Sequence, residues 1–261
     1  MTTLEAAFAR TRAEGRAALV AYLPAGYPSV RGGIDALVAM VDAGVDVVEV
    51  GLPYSDPLMD GPTIQAAVEA ALATGTRTAD VLATVEAVAR TGAATVVMSY
   101  WNPVERYGVA RFATELAAAG GAGVITPDLT PEEAGPWLAA TFDAGVDPVF
   151  LVAPSSTDAR IARVAEVTRG FVYAASTMGV TGARDQVSDR AESLVARVRA
   201  ATSLPVCVGL GVSTAAQAAE VASYADGVIV GSAFVRRLLD APSAAEGVAA
   251  VAELAAGVRR P

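Results

Sequence analysis

Short runs of β-branched and aliphatic residues recur along the chain, each followed by a polar or glycine-containing turn and then by an alanine-rich stretch with helical spacing. Eight runs centre on Leu19–Leu23, Val45–Val50, Thr95–Met98, Val124–Thr126, Val149–Val152, Phe171–Ala175, Val206–Val208 and Val228–Val230. Strands this short, alternating with helices, predict parallel pairing through right-handed crossovers. Eight such units in 261 residues predict an α/β fold of the (β/α)8 TIM-barrel type rather than an open sheet, which usually has about five or six strands. Additional helices are expected at Thr3–Glu14, ahead of the first strand, and at both Thr63–Thr74 and Thr78–Ala89, between strands two and three, where the repeat needs only one. No linker or charge block divides the chain, so residues 1–261 read as one domain.

Composition narrows the chemistry. The sequence has no histidine, its 19 basic residues are all arginines, and Cys207 is its one cysteine. A Ser-His-Asp or Cys-His apparatus and an imidazole-based zinc site are thereby excluded, as is a lysine Schiff base. Proton chemistry falls to carboxylates and tyrosines. The net charge of -9 argues against a nucleic-acid binder working through a basic surface. A single cysteine forms no intramolecular disulfide, and charges at Glu5, Arg10, Arg12, Glu14 and Arg16 interrupt any signal-peptide core. Alanine-rich stretches are broken by charges before reaching the length of a membrane span. A soluble, cytoplasmic protein is the expectation.

A barrel of this kind places its active site at the C-terminal ends of the strands. In DVVEVGLPYSDPLMDGPTIQ, Glu49 stands among valines near the end of the second strand, where an unpaired buried carboxylate has a raised pKa suited to a general acid and base. Eleven residues on, Asp60 lies in a loop whose backbone is restricted by Pro53, Pro57, Gly61 and Pro62. The ordinary alternatives are a salt bridge for Glu49 and a helix cap for Asp60.

A second constellation consists of backbone. Gly182 follows strand six in STMGVTGAR, Gly209 and Gly211 follow strand seven in VGLGVST, and Gly231 with Ser232 follows strand eight and leads into a helix. Glycine N–H groups and a helix N-terminus hold an anion without side-chain charge, so these turns point to a phosphate, although each alone could simply close a tight turn. Tyr22, Met98, Tyr100, Ile125 and Tyr173 lie at strand ends, as pocket lining or as barrel packing. The residues thus indicate a phosphorylated, partly aromatic or apolar substrate and carboxylate acid/base catalysis, without naming the reaction.

The segment EVGLPYSDPLMDGPTIQ resembles the signature of the tryptophan synthase α-subunit family, in which the Glu and the second Asp are the catalytic pair. AYLPAGYP, YWNP, ITPDLTPEE with Asp128, STMGVTGAR, VGLGVS and VGSAFV are similar to that family's blocks, in order and spacing, over nearly the whole chain. The resemblance implies a lyase of tryptophan biosynthesis that cleaves indole-3-glycerol phosphate into indole and glyceraldehyde 3-phosphate, with no cofactor of its own. It implies that Glu49 protonates indole C3 and takes the proton of the adjacent glycerol hydroxyl, while Asp60 stabilises charge at the indole N–H. Gly182, Gly211, Gly231 and Ser232 would bind phosphate. Tyr22, Met98 and Ile125 would line the indole pocket, Tyr173 would lie beside Glu49, and Thr181 would close over substrate and position Asp60. Thr177 stands where many members have Arg, which puts any ion pair made by that Arg in doubt.

The same resemblance implies an α2β2 heterotetramer in which a pyridoxal phosphate-dependent β subunit receives indole through a tunnel. Its docking surface would include Pro53, Asp56, Asn102 and Pro103. Three alternatives stay open at this stage: a phosphosugar isomerase on the same barrel, a non-catalytic subunit that activates a partner synthase, and a stand-alone lyase.

Overall fold

The computed structural model describes residues 2–175, 184–209 and 211–240 together with 243, 245, 246 and 249, the side chains of 184–189 excepted. Its strands are β1 (Ala18–Pro24), β2 (Val47–Gly51), β3 (Ala94–Met98), β4 (Gly123–Ile125), β5 (Asp147–Val149), β6 (Leu151–Val152), β7 (Val172–Ala175), β8 (Val206–Gly209) and β9 (Gly227–Val230). Its helices are α1 (Thr3–Ala13), α2 (Val30–Asp42), α3 (Pro62–Ala73), α4 (Thr78–Ala89), α5 (Trp101–Tyr107), α6 (Val109–Ala118), α7 (Gly135–Ala144), α8 (Asp158–Val167), α9 (Arg184–Ala201), α10 (Ala215–Ala222) and α11 (Ser232–Asp240).

All strand pairs are parallel, in the order β5-β4-β3-β2-β1-β9-β8-β7-β6. The two ends of that order are consecutive in the chain. Phe150 joins them, and its carbonyl accepts the Tyr173 N–H at 3.2 Å, which brings the sheet round into a nearly closed TIM barrel. The fifth expected strand, Val149–Val152, is therefore two short segments, and it begins earlier, at Asp147. Asp147 and Pro148 are poor strand formers, which hides this start from the sequence pattern. The fourth strand also begins one residue sooner than expected, at Gly123. The extra N-terminal helix and the second helix between β2 and β3 are both present, as α1 and α4, the latter with the expected limits.

Side chains alternate across the barrel wall with period two. Ala18, Val20, Val47, Ala94, Val96, Ile125, Val149, Tyr173, Cys207 and Ile229 form the inner core with Leu4, Ala7 and Phe8 of α1. Leu19, Ala21, Leu23, Val48, Val50, Val97, Val124, Val172, Val206 and Val228 face the helices in the outer layer. Helix α1 covers the N-terminal end of the barrel: Phe8 packs on Phe171 with ring centroids 5.6 Å apart, and Thr2 Oγ1 donates to Asp147 Oδ2 at 3.0 Å. A buried carboxylate ties the same end together. Asp46 accepts from Arg16 at 2.6 and 2.8 Å, from Arg10 at 3.0 Å and from the Leu19 N–H at 3.0 Å. With α1 occupying that end, the inner face can open only at the C-terminal ends of the strands. No helix among the described residues is long and apolar enough to cross a membrane.

Candidate active site

At the open end, the last inward positions of adjacent strands bring the site together. Tyr22 on β1 stands in register with Glu49 on β2, and the next inward row runs from Pro24 through Gly51 and Met98 to Ile125. Alternation from Val47, an inner-core residue, makes Glu49 and Gly51 inward positions too. A side chain at 51 would collide with Tyr22: an added Cβ would lie 2.4 Å from its hydroxyl. Gly209 likewise makes room for Tyr173, whose hydroxyl would be 2.6 Å from a Cβ there. These two glycines are thus fitted to the tyrosines, a role the sequence did not disclose for either.

Glu49 is 1 % exposed, and neither carboxyl oxygen has a hydrogen-bond partner among the described residues. The salt-bridge alternative does not hold in this geometry. Burial first, and the nearby charge of Asp60 second, push its pKa up to about 8, so the group carries a proton at neutral pH. Asp60 lies in the loop before α3 but caps nothing; the N-cap position is Gly61, which makes no side-chain capping bond. Instead, Asp60 Oδ1 accepts from the Tyr100 hydroxyl at 3.0 Å, that hydroxyl accepts from the Met59 N–H at 3.1 Å, and the Gln65 amide donates to the Asp60 carbonyl at 2.7 Å. Burial pushes the Asp60 carboxyl up, and the Tyr100 bond opposes it. Sequence reasoning placed Tyr100 among pocket aromatics and missed this bond, because it joins residues forty positions apart.

Tyr22 and Tyr173 are both buried, and their phenols are pushed well above the ordinary value by burial and then by the two carboxylates. Glu49, Asp60, Tyr22, Tyr100 and Tyr173 therefore share one electrostatic environment. In the row above Glu49, Met98 is half-buried and its register partner Ile125 is fully buried. On the opposite wall, Gly209 ends β8, Gly211 has φ +64°, and Gly231 with Ser232 starts α11, with the Gly231 carbonyl accepting from Phe234 and Val235. A glycine turn feeding a helix N-terminus is fitted to hold an anion. Thr177, Thr181 and Gly182 lie outside the described residues.

The sequence model of the family described as "Tryptophan synthase alpha chain" matches residues 8–259. The chain belongs to the tryptophan synthase alpha chain family. A tryptophan synthase alpha chain from Thermobifida fusca is 62 % identical over 99 % of this chain and 98 % of its own length, and one from Acidothermus cellulolyticus is 62 % identical over 100 % and 98 %. Among solved structures, tryptophan synthase from M. tuberculosis in its aminoacrylate-bound form superposes with a TM-score of 0.92 at 54 % identity, covering 99 % of this chain and 100 % of that one. The alpha subunit from Legionella pneumophila gives 0.91 at 29 % identity, covering 99 % and 98 %. Between these two tryptophan synthase structures identity falls by nearly half while the barrel superposes equally well.

Proposed function

We propose that this chain, acting as a single-domain barrel, cleaves indole-3-glycerol phosphate to indole and glyceraldehyde 3-phosphate in tryptophan biosynthesis. The observation that carries the reading is Glu49: a carboxyl group buried at the barrel mouth without a hydrogen-bond partner among the described residues, its pKa pushed up to about 8 by burial and by the nearby Asp60. Glu49 gives its proton to indole C3, which leaves the ring as an N–H iminium. Asp60 stabilises that cation. The glycerol hydroxyl beside the scissile bond then returns a proton to Glu49 as the carbon-carbon bond breaks, its electrons quenching the iminium, so that indole and an aldehyde leave and the enzyme is unchanged. The substrate supplies its own electron sink, which suits a chain with neither lysine nor histidine.

Gly211, Gly231 and Ser232, with Gly182, are read as the phosphate site, Tyr22, Met98 and Ile125 as the indole pocket, Tyr173 as the neighbour of Glu49, and Thr181 as the residue that closes over substrate. We read the chain as the α partner of a pyridoxal phosphate-dependent β subunit in a cytoplasmic α2β2 assembly. Supporting this is a groove of about 420 Å³ lined by Leu52, Pro53, Tyr54, Asn102, Pro103 and Arg106, with Leu58 and Met59 exposed beside it at 75 % and 49 %. Asp56 sits in the same loop and accepts from Ser55.

The test is to incubate the purified chain with indole-3-glycerol phosphate, with and without a β subunit, and to assay indole. Indole release that Glu49→Gln abolishes supports the reading. Isomerisation of triose or ribose phosphates without indole release would replace it, and turnover that is high and indifferent to a β subunit would mark a stand-alone lyase.

A further inference from the structure

We infer that Tyr100 is the positioning residue that assigns the two carboxyl groups their different tasks, holding Asp60 as the anion and so leaving the mobile proton to Glu49. The inference rests on the lyase reading above, and it is the direction of one hydrogen bond that carries it.

The Met59 backbone N–H, 3.1 Å from the Tyr100 oxygen, can only donate. The phenol oxygen is thereby an acceptor on that side, and its one proton is directed to Asp60 Oδ1 at 3.0 Å. A hydroxyl donating to a carboxylate favours the ionised form. Glu49 has no such donor among the described residues. Two acids in one poorly solvated mouth cannot both ionise easily, so the one with the donor ionises first, and its charge then holds the proton on the other. The other titratable groups facing the pair are Tyr22 from β1 and Tyr173 from β7, with Cys207 of β8 next to Glu49. Burial pushes all three up and keeps them neutral, so none supplies a competing charge.

Tyr100 is also held in place. It is 5 % exposed, its ring lies on Tyr54 with centroids 5.7 Å apart, and the Tyr54 hydroxyl accepts from Asn102 Nδ2 at 2.8 Å. Its own phenol is pushed up to about 12, chiefly by burial, so the proton it offers Asp60 stays on oxygen throughout the working pH range.

Tyr100→Phe in the full-length chain removes the hydroxyl and keeps the ring. Indole release is measured across pH, separating kcat from KM, and the Asp60 carboxyl is titrated by 13C NMR in both proteins. The expected result is a rise of about one pH unit in both the acidic limb and the Asp60 titration, so that kcat falls by up to about tenfold on the acidic side and less at neutral pH, with a smaller change in KM. An active parent chain whose Phe variant keeps its kcat and acidic limb would overturn the inference. So would a loss of activity without any movement of the Asp60 titration, since a purely structural role predicts that. If the parent chain releases no indole, the lyase reading fails, and the NMR comparison still decides whether Tyr100 governs the ionisation of Asp60.

Discussion

Tyr22 and Glu49 face each other across the β1–β2 ladder, their Cα atoms in register, at the level where the barrel interior changes from packed core to open mouth. The position of the tyrosine depends on Gly51, two residues beyond Glu49 on the same strand. Gly51→Ala would put a methyl group 2.4 Å from the Tyr22 hydroxyl and 2.7 Å from two of its ring carbons, so the whole ring would have to shift. The expected outcome is a loss of about 1–3 kcal/mol in stability together with a raised KM for indole-3-glycerol phosphate, read from denaturant melts and steady-state kinetics.

Glu49→Gln keeps the shape of the side chain and removes its transferable proton. Indole release should fall by about a hundred- to ten-thousandfold, the range general acid and base catalysis supplies. Retention of full activity by the amide would end the mechanism.

The same substitution should stabilise the fold, and more so at high pH. In the folded chain the Glu49 carboxyl keeps its proton up to about pH 8, while unfolded it titrates near 4.5. Between those values the folded state binds the extra proton, so stability is complete below the lower value and declines as pH rises toward the upper one, at about 1.4 kcal/mol per pH unit. Glutamine escapes that decline. The gain in Tm of Glu49→Gln over the parent should therefore be larger at about pH 8.5 than at about pH 5. In the parent chain, kcat/KM should fall on the alkaline side as Glu49 loses the proton it must donate.

Asp46 behaves in the opposite sense, far from the mouth. Burial raises its pKa, but the bonds from Arg16, Leu19 and Arg10 outweigh burial and hold the carboxyl below its ordinary 3.8. Its contribution is present above that value and is lost as pH falls through the lower, folded one. Asp46→Ala leaves the Leu19 N–H unpaired and Arg16 with only Glu14 and the Ala17 carbonyl, and should cost about 1–3 kcal/mol in denaturant melts. The pH profile of indole release should be unchanged, because no site residue touches Asp46.

Much of the fold was legible because a barrel strand must be apolar over a short run and its helix must show apolar residues at helical spacing. Where local chemistry ran against the tertiary outcome, the reading failed. Asp147 and Pro148 begin a strand because Asp147 meets Thr2 of the N-terminal segment, and Pro148 gives its carbonyl to Arg169. Helix α5 went unrecognised in the YWNP block for a similar reason. Its start has no local side-chain cap, and the Trp101 N–H, which has no partner within the helix, is taken by the Asp128 carboxylate, at 2.9 and 3.1 Å, from a loop after the next strand.

The sequence by itself determined the barrel, the absence of amine and imidazole chemistry, and the two acids eleven residues apart in a restricted loop; these follow from residue type and spacing along one strand and its turn. Only the tertiary structure decided that those acids are unlike. Glu49 has no hydrogen-bond partner among the described residues and its pKa is pushed up by burial, whereas Asp60 accepts a hydrogen bond from Tyr100, and the tyrosines of β1 and β7 are seated over glycines of neighbouring strands. Burial and hydrogen-bond direction are properties of what surrounds a group in space, and in a closed barrel the surroundings of one strand come from strands and loops distant in the chain.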